Sequence, residues 1–544
     1  MTPRRKMIVG FALIALAGYP GCNGKSGVST AGSVSTAGPG PSWYVDRDAS
    51  GSNSGASWAD AWKSFAAIRW GSGGVSPGDT IYISGGTASK TYNETLIVGG
   101  GGAKGRPVTI KAGQDPGHNG IVIIDGQFTS SRAILNNGHS HIVIDGEYNG
   151  TRHLDIRNHT EQFIRMVGVS GCSVRYVSLH DSAPTACSYG ILMSGANNEV
   201  AYSQIYNLSN MAIVFGQDLS MPFTGYGSAG SIHHNYTTNI TNDHIQMNEG
   251  VDVYNNVFDQ YRDSSVITGC AGEYTDIIHT SSGTHRIYNN KFIIRRVENG
   301  GNAMIFIEVF GAIGGGAYPS HRSNIRIYNN EIFHTDPNYS GDRNVQGVIL
   351  KWHDSSPDAY GYTDIWDNVS ICNNTFVDHP YAPLLTDNFP GGMRPRRWEI
   401  KNNIFVNSQT RGGSGGSAIY MENGNYTASD VVIDGNVFAA GAAGGTAISF
   451  LGTRYATPGA YNSAYGRNNR GCMPSFVSYT PGVYSGRNLG LQPSDVCAAD
   501  RGFTLGLFDT DMDGVARPQG SAWDIGAHEA IPLPSSLRSK VPLP

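Results

Sequence analysis

The sequence predicts an all-β solenoid, in which short strands stack coil upon coil, and three observations predict it. A phrase recurs as Val253-Tyr254-Asn255-Asn256, Arg286-Ile287-Tyr288-Asn289-Asn290 and Arg326-Ile327-Tyr328-Asn329-Asn330, and the Asn pair returns at Asn373-Asn374 and Asn402-Asn403. Such self-similarity marks a chain built from one repeated supersecondary unit. The composition agrees: 72 Gly, 28 Tyr and 15% charged residues, with many short Val/Ile/Tyr/Phe runs, suit strands and turns. Finally, the Asn pairs begin at 255, 289, 329, 373 and 402, so the interval swells and then contracts. The surplus residues, among them 309–323, 331–346 and 353–367, must leave the middle coils as long loops. Insertions in repeat proteins tend to build the binding face.

The formal net charge is −5 and like charges are not clustered, which argues against a nucleic-acid partner and against a polybasic membrane patch. At the start of the chain, Arg4, Arg5 and Lys6 precede an apolar run from Met7 to Ala17 that is too short to span a bilayer, so residues 1–22 read as an export signal. Cys22, preceded by the small Gly21, resembles the lipid-modified cysteine of bacterial lipoproteins; cleavage after Ala15-Leu16-Ala17 is the alternative. Residues 23–42, rich in Gly, Ser, Thr and Pro, form a flexible tether. The expected product is an exported monomer, secreted or held at the cell surface or in the periplasm, with a membrane contact only through a lipid on Cys22. Six further cysteines permit disulfides in an oxidising compartment, Cys172/Cys187 and Cys472/Cys497 being nearest in sequence; buried thiols are the other reading.

Residues 43–107 open the folded region. Tyr44-Val45-Asp46 is followed by Trp58 to Ile68, with helix-compatible apolar spacing, and by the alternating strand Thr80-Ile81-Tyr82-Ile83. This order resembles the opening of secreted right-handed parallel β-helix proteins of the pectate-lyase-like type, and the resemblance implies a short helix capping the open end. Successive coils then run over 108–450, from Val108-Thr109-Ile110 to Val432-Ile433-Asp434-Gly435-Asn436. An Asn at the strand exit tolerates a left-handed backbone, and its amide can bond the same amide one coil on. These Asn residues are therefore turn and ladder elements rather than catalytic ones. Residues 451–544 form closing coils, and Trp523-Asp524-Ile525-Gly526-Ala527-His528-Glu529 resembles the end of many exported bacterial β-helix proteins.

Candidate chemistry lies in the middle coils. If the strands Ile245-Gln246, Ile278-His279, Ile307-Glu308 and Leu350-Lys351 stack in register, then Gln246, His279, Glu308 and Lys351 form one outward file, adjacent members roughly 5 Å apart. Phe306 and His353 flank it two residues away, and an outward Phe306 can stack on a sugar ring. Parallel β-helix proteins with such clefts are often polysaccharide lyases or glycoside hydrolases. A lyase removes the proton beside a uronate carboxylate, which requires a base and a cation to neutralise the carboxylate. Lys351 or His279 fits the base; Arg262, Arg295, Arg296, or a metal held by Glu308 and Asp276, fits the cation. A hydrolase requires two carboxyl groups, which Glu308 would form with Asp243, Asp276 or Asp354. Equally, Glu308 and Lys351 can be a solvated cross-strand ion pair. Near the end, Asp509, Asp511, Asp513 and Gly514 match the start of a Ca²⁺ loop, but Gly520 stands where the bidentate Glu belongs, and a plain Asx turn competes.

The expected function is β-elimination on an acidic, uronate-containing polysaccharide, with Lys351 or His279 as base, Glu308 as metal or substrate ligand, and Ca²⁺ as the candidate cofactor. A glycoside hydrolase and a non-catalytic glycan-binding or adhesive surface protein are the alternatives.

Overall fold

A computed structural model describes residues 40–531 except 217–229, 248–249, 262–265, 269–275, 281–283, 297–302, 310–320, 336–345, 353–364, 388–393, 409–416, 422–425 and 440–445. The chain divides into units 1–38 and 39–544, and the described residues all belong to the second. Cys22 and the export signal lie outside the described residues.

The strands assemble into three long sheets, visited in turn once per coil. The first sheet begins with Ser42–Val45 and ends with Val431–Asp434, the second runs from Ser89–Tyr92 to Val437–Ala439, and the third from Leu96–Ile97 to Thr446–Phe450. Neighbours within each pair in parallel, apart from an antiparallel terminal strand Thr453–Tyr455 on the third. This is a parallel β-helix, with the right-handed winding that crossovers between parallel strands adopt. Strand alternation sends one side chain in two inward. In the first sheet Ile110, Ile144, Val174, Val200, Ile232, Val253, Ile287, Ile327, Ile371, Ile400 and Ile433 form an unbroken inward file, each at 0 or 1% exposure. Each such side chain contributes about 1.5–3 kcal/mol by leaving water. In the second sheet Phe376 stacks on Phe405 and Phe405 on Phe438, and Phe258 meets Phe292 at a tilt, at centroid separations of 5.0–5.1 Å.

The Asn pairs turn the chain from the first sheet into the second, and their members divide the labour. The first Asn supplies the left-handed residue, with φ of 52–55° at Asn255, Asn289, Asn329, Asn373 and Asn402. The second builds a buried ladder: the amides of Asn256, Asn290, Asn330, Asn374, Asn403 and Asn436 each donate to the next at 2.9–3.1 Å, ending on Asn469.

Three expectations are corrected. The opening cap is not a helix over Trp58 to Ile68 but irregular chain with one 3₁₀ turn, Phe65–Ala67, because packing of Trp62, Phe65 and Ile68 over the first coil overrides the local spacing. Cys172 does not pair with Cys187: Cys172 is a buried free thiol, whereas Cys187 is disulfide-bonded. Cys472 and Cys497 do form a disulfide. The residues after 450 add no coils to the three sheets. A helix, Pro458–Tyr465, packs at the far end, and the chain then doubles back along the side of the solenoid. There the hairpin Phe476–Thr480/Val483–Leu491 encloses Asp378, which accepts from Tyr479 Oη at 2.7 Å and pairs with Arg487 at 2.6 Å. The first Asn of three pairs anchors the returning chain, since Asn329, Asn373 and Asn402 donate to the carbonyls of Thr510, Asp524 and Phe503 at 2.8–2.9 Å.

Candidate functional site

The polar residues expected in one file belong to the third sheet but not to one row. Gln246 pairs with His279, His279 with Phe306 and Phe306 with Ile349. Glu308 instead lies opposite Lys351, and Lys351 opposite Asp387. The expected register is thus corrected by two residues at one step, between Ile278–Thr280 and Ala303–Val309: Ile278 stacks on Ile305 rather than Ile307, whereas Ile307 does lie opposite Leu350 as expected. The physical reason is that both strands carry apolar residues at alternate positions, so either inward pair fills the core. Thr280, Leu350 and Thr386, all fully buried, occupy one inward row, in which Ile307 is the register position between Thr280 and Leu350. Because the slip is even, Glu308 and Lys351 keep the parity of Gln246 and His279.

The residue that joins the row is Phe306, and the residue beside His279 is Asp243. Asp243 and Asp276 occupy equivalent turn positions two residues before their third-sheet strands, Ile245–Met247 and Ile278–Thr280. Both are almost completely buried. The Asp276 N–H donates to Asp243 Oδ1 at 3.2 Å, and His279 Nδ1 lies 3.3 Å from Asp243 Oδ2. One ligand atom from each of Asp243, Asp276 and His279 falls within 4.8 Å of the others, an arrangement that can hold a cation. Asp276 therefore has Asp243 and His279 for company, while Glu308 stands one coil beyond His279 and two residues further along.

Other expected residues are placed elsewhere. Arg295, in the strand Lys291–Arg296, belongs to the second sheet, where it pairs with Asp259 at 2.7 Å and lies over the Tyr484 ring. It braces the returning hairpin and does not face the third sheet. Arg262 and His353 lie outside the described residues. Of the acidic loop, Asp511 and Asp513 gather with His528, but Asp509 stands apart and exposed. Asp511 accepts from the N–H groups of Asp513, Val515 and Glu529 at 2.7–2.8 Å, which makes it the organiser of an Asx-type turn. His528 bridges Asp513 at 2.9 Å and Glu331 at 2.8 Å, and burial works against its charge, yet these partners raise it to about 10.

Sequence reasoning missed a groove of about 730 Å³ at the corner where the third sheet turns into the first. Its wall is a first-sheet row in which Ser173, Glu199, Ser231, Asp252, Arg286 and Arg326 pair successively. Glu199 accepts from Ser173 at 2.5 Å and meets His233 at 3.0 Å; the His233 hydrogen bond, against burial and helped by Ser173, holds its carboxyl down at about 2. Arg286 grips Asp252 with Nε and Nη2, the former at 2.7 Å. The signal was inside the repeat itself, in the residue that precedes each Ile/Val-Tyr-Asn-Asn phrase.

No family model matches the chain, and no curated protein matches it in sequence. Among solved structures it is similar to pectate lyase Pel9A, at 13% identity over 91% of this chain and 97% of that one, with a TM-score of 0.37. A mannuronic acid specific polysaccharide family 6 lyase from human gut microbiota matches at 15% identity over 70% and 83%, TM-score 0.40. XylC, solved in complex with xylose, matches at 10% identity over 90% and 99%, TM-score 0.45.

Proposed function

We propose that this chain is an exported polysaccharide lyase that cleaves an acidic, uronate-containing glycan by β-elimination on the outer face of the third sheet. The observation that carries the proposal is the Asp243–Asp276–His279 group set one coil from the Glu308–Lys351 pair of register positions. From His279 to Lys351 is two coils and two residues, roughly 12 Å between backbones, the span of one or two sugar units. The Cys472–Cys497 disulfide supports an oxidising compartment and hence export.

The elimination needs a base for the proton at C5 and neutralisation of the adjacent carboxylate; the C4–O bond then breaks as the C4–C5 double bond forms, and the departing oxygen takes up a proton. Lys351 is the base where a cation is held by Asp243, Asp276 and His279; without a cation His279 is the base, its ring oriented by Asp243 through the Nδ1 contact. Two buried carboxylates and an imidazole form a donor set that fits a divalent cation, although Ca²⁺ prefers more oxygen ligands than these alone. Ca²⁺ held there would neutralise the uronate carboxylate. Glu308, Gln246 and Phe306 bind the flanking sugar.

One observation favours the hydrolase alternative: Asp243 and Asp276 each bring a carboxylate oxygen within 4.8 Å of the other, so two carboxyl groups are gathered in one place as a hydrolase requires. The test is turnover of a panel of uronate polysaccharides with and without chelator. Ultraviolet-absorbing unsaturated product, reduced about 10²–10⁴-fold by Lys351→Ala or His279→Ala, is the expected result. Reducing ends without that absorbance would establish the hydrolase, and binding without either product a non-catalytic glycan-binding protein.

A further inference from the structure

The groove at the corner between the third and first sheets is separate from the proposed catalytic face and has its own chemistry. Its charges are unevenly satisfied. Arg286 is held in a fork by Asp252, and Glu199 is occupied by Ser173 and His233. Arg326 pairs with Arg286 in register, so the two cations sit on adjacent coils roughly 5 Å apart along the backbone. Asp252 neutralises one of them. Arg326, half-buried, has no carboxylate partner among the described residues, although it lines the groove.

Along the groove, one to three coils from Arg326, the lining is small and polar. Ser231 and Thr284 bring hydroxyls, and Gly230 and Gly250 bring backbone without side chains. At Gly230 a Cβ would point inward and lie 2.4 Å from the buried Phe215 ring, so core packing fixes this position as glycine. A planar, unpaired Arg fork matches a carboxylate bidentately, while hydroxyls and exposed backbone suit sugar hydroxyls. The apolar lining a drug-like ligand would require is missing from these residues.

We propose that this groove is a second, non-catalytic glycan site that takes a uronate unit, with Arg326 binding its carboxylate and the Asp252–Arg286 pair fixing the neighbouring cation in place. The inference shares with the proposed function only the class of glycan. A long chain engaged here and on the third sheet would be retained by both contacts, which raises its apparent affinity without new chemistry.

The experiment is calorimetric titration of the full chain carrying Lys351→Ala and His279→Ala, so that both candidate bases are removed, with hexagalacturonate and hexamannuronate as probes. Binding of at least one probe is expected, weakened about 10- to 100-fold by Arg326→Gln and less by Arg326→Lys, which keeps the charge but loses the fork. The same loss is expected when the probe's carboxylates are reduced to alcohols. Circular dichroism and thermal unfolding of the Arg326 variants check that the fold is intact. In the otherwise wild-type chain, Arg326→Gln should leave kcat on a trisaccharide unchanged. Binding that Arg326→Gln leaves unaltered, or failure of both probes to bind, overturns the proposal. The two readings separate cleanly: turnover with Arg326-independent binding sinks the groove alone, whereas Arg326-dependent binding by a wild-type chain without turnover supports the groove and sinks the lyase.

Discussion

Replacing Asn330 by Ala should be among the most costly single substitutions in the coil. Its side chain is fully buried. The amide donates to Asn374 Oδ1 and to the Ile287 carbonyl at 2.9 Å, and to the Tyr328 carbonyl at 3.0 Å. Its oxygen accepts from the Asn290 backbone N–H at 3.0 Å and from the Asn290 amide at 3.1 Å. Alanine leaves the buried Asn290 N–H without its acceptor, which costs about 1–3 kcal/mol, and removes further bonds worth about 1 kcal/mol net each. Part of that is recovered by relaxation, so we expect about 3 kcal/mol in all. Asn289→Gly is the contrast: the backbone there has φ of 55°, glycine adopts it freely, and the change should cost under about 1 kcal/mol. Urea unfolding gives the global cost. Because repeat folds lose stability locally, hydrogen exchange should show lost protection concentrated in the strands Arg286–Tyr288 and Arg326–Tyr328. An Asn330→Ala cost below about 0.5 kcal/mol, or one no larger than that of Asn289→Gly, would refute the ladder as a stabilising element.

Two more outcomes follow from the returning segment. His528 is raised from 6.5 to about 10, so its contribution is complete below about pH 6.5 and fades as pH climbs toward 10; Glu331, lowered by Lys291 and His528 against its burial from 4.5 to about 2, contributes above pH 4.5 and loses that as pH falls toward 2. Thermal unfolding should therefore weaken on both flanks, and His528→Gln should flatten the alkaline flank and, because Glu331 then keeps only Lys291, lessen the acid flank in part. Reducing the Cys472–Cys497 disulfide, which closes a loop with a sequence separation of 25, should cost about 3 kcal/mol in the segment it closes, read as new proteolytic cleavage at 472–497 while the coils stay protected.

The fold was legible because its two strongest signals are local. The Asn pairs declare both the left-handed corner and the ladder, and an apolar alternation of period two can only bury one face. The site was legible in its parity but not in its row. In Ala303–Val309 both Ile305 and Ile307 are inward candidates, and nothing within the strand chooses between them. The choice is made by how the neighbouring coils stack, which short repeats of irregular length do not reveal. In sequence Asp243 offers itself only as a carboxylate partner for Glu308, because its partnership with Asp276 and His279 depends on turns one coil apart in space and 33 residues apart in sequence. The cap failed for another reason: Trp62, Phe65 and Ile68 have helical spacing, yet they serve to cover an open coil, and that requirement does not depend on helix.

The returning C-terminal segment decides what the charged residues of the solenoid mean. Over the later coils it lies on the corner between the first and second sheets, where Asn329, Asn373 and Asn402 bind it, and on the second sheet, where Asp378 receives Arg487. Charges it covers are saturated: Arg295 by Asp259 and the Tyr484 ring, Glu331 by Lys291 and His528. Such groups are structural, since a buried charge must be paired to be tolerated at all. The third sheet and its corner with the first carry no such cover among the described residues, and it is there that Asp243, Asp276 and His279 converge and that Arg326 stands without a carboxylate. A search for function by residue type alone would rank Arg295 and Arg326 equally. Their surroundings separate them, because an arginine already neutralised by its own chain has little left to offer a substrate, while one presented unneutralised in a groove keeps its full affinity for an anion.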